Sequence, residues 1–173
     1  MNAFNLKTAA PRLIIGIGNP SRGDDALGSL CIERLQTLEP PDTELLTDYQ
    51  LQVEYVLDFP GRNEIIFIDA SASGVESCAF EPLVAQTDHS ITTHAVSPSA
   101  LLATAQQING CLPPKAYMLA IRGYSFELGD GLSAQAAKNL DQAIALLERH
   151  IGIGASFQPA PDQTEDATVR NSA

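Results

Sequence analysis

Two short apolar runs, Leu13–Ile17 and Ile65–Ile68, constrain this chain more than any other feature. Neither alternates apolar with polar side chains, so neither offers a face to water, and both read as strands buried on two sides. Such strands need helices above and below them, and helical spacing follows. Ala26, Leu27, Leu30, Cys31, Leu35 and Leu38 recur at intervals of three and four and stop at Pro40-Pro41, as a helix stops before proline. Thr43–Thr47 then reads as a strand, Leu51–Phe59 as a short helix and Glu76–Ala85 as an extended strand near an edge. Ser97 and Pro98 look like an N-cap followed by a first-turn proline, opening a helix over Ser99–Ile108. Tyr117–Ile121 is a further strand, and Ser133–His150 a long amphipathic helix with Leu140, Ala143, Ile144 and Leu147 on one face. Strands alternating with helices pair in parallel through crossovers. The expected fold is a three-layer α/β/α sandwich around a mostly parallel sheet of about five strands.

Composition agrees with a globular domain. Of 173 residues 45% are apolar and 18% charged, and no apolar run approaches the roughly 18 residues that span a bilayer. Residues 1–11 carry no apolar export signal and read as a leader, residues 12–151 as the domain, and residues 152–173 as a disordered tail of Gly, Ala, Pro, Gln and Asp without periodicity. A cytoplasmic protein with no membrane partner is expected. The three cysteines, Cys31, Cys78 and Cys111, are odd in number and lack a C-x-x-C pair, which argues against a disulfide framework or structural zinc. A net charge of −11 repels polyanions, so nucleic acid is not an expected partner.

The segment GIGNPSRGDD, Gly16 to Asp25, follows the first strand and opens the first helix. Gly18 and Gly23 have the spacing of a phosphate-binding loop, but Asp24 and Asp25 stand where that loop needs a lysine and a hydroxyl. The dinucleotide pattern fails too, because Ser21 replaces its third glycine, the one that lets helix and strand pack closely. A loop of this charge suits a cation or a polar peptide. Either aspartate could instead cap the helix, where an acid complements the dipole. Asp69 ends an apolar strand, a position where a carboxylate is costly unless paired, although it could also cap the turn over Ala70–Gly74. Ligands of parallel sheets lie outside the carboxyl ends of the strands, which is where both acidic groups fall. Of the histidines, His150 sits at a helix C-terminus and suits its dipole. His94 precedes the Ser97-Pro98 helix start and can point over the sheet edge, while His89 lies in a more polar stretch. Imidazole together with carboxylate oxygens suits nickel or zinc.

Three ordered blocks, LIIGIGNPSRGDDALG (Leu13–Gly28), IIFIDAS (Ile65–Ser71) and TTHAVSPSALL (Thr92–Leu102), resemble the signature blocks of the hydrogenase maturation endopeptidases. The resemblance covers roughly Arg12 to His150. It implies a protease that clips a C-terminal extension from the large-subunit precursor of [NiFe] hydrogenase after nickel insertion. The family's metal-contacting positions fall on Asp25, which stands where many members have glutamate, on Asp69 and on His94. The resemblance implies that these three act as both metal contacts and catalytic residues, on nickel supplied by the precursor, with no organic cofactor. The RGDD form and the stretch Gly123–Ser133 look most like the branch serving bidirectional, NAD-coupled (Hox-type) hydrogenases. A precursor this large suggests a monomeric protease with a free sheet edge. Two rivals stand beside this reading. A metal carrier could use the same triad without hydrolysis. Peptidyl-tRNA hydrolase also opens with a strand and G-L-G-N-P, but its histidine-asparagine pair has no counterpart around Gly23-Asp24-Asp25, and the charge disfavours tRNA.

Overall fold

The computed structural model describes residues 9–74, 77–87, 96–110 and 112–153. His89, His94, Cys111 and the tail Ala155–Ala173 lie outside the described residues, as does most of the leader. Five strands, β1 (Arg12–Ile17), β2 (Thr43–Asp48), β3 (Glu64–Ser71), β4 (Cys78–Leu83) and β5 (Lys115–Arg122), form one sheet in the order β2-β1-β3-β5-β4. All neighbours are parallel except β4, which runs antiparallel to β5 at the edge. Pro82 within β4 fits an edge, where a missing N–H leaves no gap in an inner ladder.

Leu13, Ile14, Ile15 and Ile65 through Ile68 are fully buried, as strands without a polar face must be. Because successive side chains point to opposite faces, Ile14, Ile66, Ile68, Leu119 and Ile121 meet helices α1 (Leu27–Leu38) and α3 (Ala134–Ile151) on one side. On the other side Leu13, Ile15, Ile65, Phe67 and Ala116 meet helix α2 (Pro98–Asn109) and the turn around Val56 and Phe59. Ser97 caps α2 as expected, its hydroxyl accepting from the Ala100 amide at 3.2 Å. Ser133 caps α3 likewise.

The elements depart from expectation in instructive places. The short helix is a six-residue 3₁₀ segment, Val53–Asp58. Leu38 is 42% exposed, because α1 unwinds at Glu39, whose φ of 44° turns the chain away from the core before Pro40. Asp69 does not terminate its strand: β5 continues alongside, so Ala70 and Ser71 still pair with Ile121 and Arg122.

One close contact sets how the first helix meets the sheet. A Cβ on Gly28 would lie 2.1 Å from the Ile17 carbonyl oxygen and 2.8 Å from that of Ile68, and one on Gly16 would lie 2.3 Å from the Gly28 oxygen. Backbone therefore rests directly on backbone at the start of α1. Gly28 does the packing that the dinucleotide pattern assigns to the glycine replaced here by Ser21.

Candidate active site

That contact brings the 3₁₀ turn Gly23–Ala26, which precedes α1, over the carboxyl ends of β1 and β3. Its two aspartates have separate tasks. Asp24 is fully buried and accepts from the Tyr124 amide at 2.7 Å, the Ser125 amide at 3.1 Å, the Ser133 amide at 2.7 Å and the Ser133 hydroxyl at 2.8 Å. Burial opposes its ionisation, but the Ser133, Tyr124 and Ser125 amides and the Ser133 hydroxyl outweigh that and hold the carboxyl below its ordinary range. Neither aspartate caps the turn through its side chain. Asp24 instead ties the stretch Gly123–Ser133 to the glycine loop. Around it, Asp24 N–H donates to the Ser125 carbonyl, Gly23 N–H to that of Asp130 and Gly129 N–H to that of Ser21. Arg22 adds two donations to the Phe126 carbonyl.

Asp25 faces the other way, back over the loop. Its Oδ2 accepts from the Asn19 amide at 2.9 Å. Gly18, at φ 135°, makes this possible: a Cβ there would lie 1.9 Å from the Asp25 carbonyl oxygen and 3.8 Å from its carboxyl carbon. Asp69 sits on β3 opposite Ala120 of β5, its Oδ1 accepting from the Ala70 amide at 2.7 Å. Burial pushes its carboxyl up to about 6, the Ala70 amide lowers it in part, and the charge of Asp25 raises it further. The two carboxylates predicted from distant parts of the chain thus lie close enough to feel each other. Beside Gly18 opens a cleft of about 470 Å³ between β2 and α1, lined by Pro20, Glu33, Thr47, Asp48 and Tyr49 among others, an acidic wall unsuited to an anion.

The remaining candidates divide. His94 is not among the described residues, and those residues alone contain no group of three His, Cys, Asp or Glu able to hold a metal. His150 does more than meet the helix dipole: its Nε2 lies 2.8 Å from Glu64 Oε1 and its ring packs edge-on against Phe80 and Tyr117, at the amino end of β3. Cys31 is buried in the core between α1 and α3, and burial pushes its thiol up to about 12, so it fills space and holds no thiolate. The role of Asp24 as an internal tie was not legible beforehand. Its partners lie about a hundred residues downstream and share no pattern with it.

The coupling of the two acids gives a direct check. Replacing Asp25 by Asn should lower the Asp69 titration midpoint by a few tenths of a unit up to about one unit, since a like charge is removed while burial stays. Carboxyl carbon NMR reads it; an unmoved midpoint would place the two acids apart. The sign for stability follows from the same carboxyl. Native Asp69 keeps its proton between pH of about 4 and 6, where the unfolded chain has lost it, so this group's contribution falls as pH rises through that window, by about 3 kcal/mol in all.

No family model matches the chain, and no curated protein matches it. Solved structures do. The [NiFe] hydrogenase maturation protease HycI from Thermococcus kodakarensis KOD1 is 25% identical, with a TM-score of 0.62 over 83% of this chain and 92% of that one. The hydrogenase maturating endopeptidase HybD from Escherichia coli is 22% identical at a TM-score of 0.62, covering 82% and 91%. The hydrogenase 2 maturation peptidase from a Thaumarchaeota archaeon is 21% identical at 0.59, covering 82% and 98%. The chain therefore carries the α/β fold of hydrogenase maturation endopeptidases, consistent with a protease.

Proposed function

We propose that this protein is a nickel-dependent endopeptidase that removes the C-terminal extension of a [NiFe] hydrogenase large-subunit precursor once nickel is in place. The observation that carries the reading is that Asp25, in the turn over the strand ends, lies within electrostatic reach of Asp69 at the carboxyl end of β3, in a fold shared with maturation proteases. In this reading the nickel belongs to the substrate. Asp25, Asp69 and His94 offer two oxygen donors and one nitrogen donor to its open positions, and the metal can locate the scissile bond and polarise it. The protease then needs no metal or organic cofactor of its own and stays idle until a loaded precursor arrives. The buried, protonated thiol of Cys31 fits a mechanism without a cysteine nucleophile there. A monomer acting in the cytoplasm suits the reading, and no helix among the described residues is long and apolar enough to cross a membrane. The RGDD form and the Gly123–Ser133 stretch resemble the branch for NAD-coupled, Hox-type hydrogenases, and that resemblance is what supports placing the protein there.

The test is to incubate the protein with nickel-loaded and nickel-free precursor and weigh the products. Loss of a C-terminal fragment from the loaded precursor alone is the expected result, and His94→Ala should lose it. Cleavage of both forms would remove nickel from the mechanism. Metal transfer without cleavage would make the protein a carrier, and full activity in His94→Ala would take that histidine out of the site.

A further inference from the structure

Arg122 ends β5 at the same rim of the sheet as the two acids, and its setting differs from that of the other described arginines, of which Arg149 is exposed in the last turn of α3. Arg12, Arg34 and Arg62 each pair with a carboxylate, of Glu64, Asp141 and Glu44. Arg22 is held by a carbonyl. Arg122 has no ion pair among the described residues, in a chain with 21 acidic and only 10 basic side chains. Its guanidinium carbon lies 5.3 Å from the centre of the Tyr124 ring, and its Nη1 is buried with no hydrogen-bond partner. A buried donor left unmade is costly, so such a group in a native fold calls for a ligand or a function.

The register says which way it faces. Asp69 lies opposite Ala120, and Arg122 is two residues further along β5, on the same face as Ala120 and Asp69. The alternation continues at Gly123, where a Cβ would lie 2.8 Å from Asp24 Cβ, and the Tyr124 ring beneath the guanidinium is anchored by its hydroxyl, which accepts from Asn139 of α3. Two residues of parallel strand span about 6.6 Å, a distance a long arginine side chain covers. Beside the substrate's nickel, which locates and polarises the bond, paired carboxylates supply no fixed positive charge of the protein's own for the oxygen on which negative charge develops. When water adds to the scissile carbonyl carbon, the C=O π pair moves onto oxygen. That pair returns as the C–N bond breaks, the water's protons end on the leaving nitrogen and on solvent, and a carboxylate remains. Negative charge on that oxygen, next to Asp25 and Asp69, needs a preorganised donor.

We propose that Arg122 is a catalytic residue whose guanidinium, turning its unpartnered Nη1 out from over the Tyr124 ring, donates to the scissile carbonyl oxygen of the bound precursor and stabilises the oxyanion formed there. This rests on the protease reading above. The test is single-turnover and steady-state processing of nickel-loaded precursor by wild type, Arg122→Ala and Arg122→Met, with and without millimolar guanidinium ion, alongside thermal melts. Methionine keeps an apolar stem over Tyr124 and guards against a folding loss. The expected result is a kcat lowered by about 10²–10³-fold with little change in KM, an unchanged melting temperature, and partial recovery in Arg122→Ala when guanidinium is supplied. Wild-type rates in both variants, or a loss that guanidinium does not recover, would overturn the assignment. Failure of the wild-type protein to cleave loaded precursor would instead remove the protease reading, and this assignment with it.

Discussion

Asp24→Ala should be less stable than wild type by about 3–5 kcal/mol in denaturant unfolding, the largest effect expected of any single polar change in the described fold. The carboxylate that would be lost accepts from three backbone amides and a hydroxyl while fully buried. Alanine leaves those donors facing a small void, and no nearby acceptor replaces the charge. Asp24→Asn tests the same point with the shape kept, because its amide would turn N–H toward groups that themselves donate, and it too should be destabilised. Acid titration gives a second reading with a definite sign. The folded carboxyl is held below its ordinary range, so on acidification the unfolded chain takes up the proton first, near its ordinary value of 3.8. The stabilisation is whole above that pH and is lost as pH falls through the lower folded value. Asp24→Ala should therefore lack that acid limb. Equal stability of Asp24→Ala and wild type would mean that Gly123–Ser133 holds its place without this tie.

Asp25→Ala and Asp69→Ala should each lower precursor processing by at least about 10³-fold, yet leave the fold intact. The contrast with Asp24 is the point of the experiment. Among the described residues Asp25 accepts one hydrogen bond, from the Asn19 amide, and Asp69 one, from its own neighbour Ala70. Neither ties two parts of the chain together. For Asp69 burial works against the charged form, so its removal should leave stability at neutral pH unchanged or slightly raised. Processing assays beside melting curves separate the cases: lost cleavage in a stable protein assigns these acids to the site, whereas normal cleavage in either variant removes that residue from it. Adjacent aspartates with opposite phenotypes, Asp24 on stability and Asp25 on activity, would be hard to obtain from any other arrangement of this loop.

Much of the architecture was legible because it is a matter of period. Ile65–Ile68 could not be half-exposed, the three-and-four spacing after Ala26 could not be a strand, and Ser97-Pro98 could hardly be other than a helix start. Boundaries slipped where neighbours decided them. Asp69 was expected to end a strand, but a strand end depends on its partners, and β5 carries the ladder on through Ser71. Asp25 and Asp69 were legible as candidates from a rule of parallel sheets and from resemblance, since both follow apolar strands at the rim where ligands lie. Asp24 was not, because a charge in a first helical turn looks the same whether it meets solvent, a dipole or four donors from a distant loop.

The order of residues alone determined the layers, the parallel crossovers and the short list of acids, because hydrophobic period and turn chemistry act over a few residues at a time. Only the tertiary structure decided which acid braces the fold and which faces the rim. It also showed that Gly16 and Gly28 let α1 rest on β1, and that Arg122 stands there with a donor unspent. Those outcomes depend on groups some ten to a hundred positions apart being brought within a few ångströms, where desolvation and hydrogen bonding, rather than local propensity, set what each side chain does.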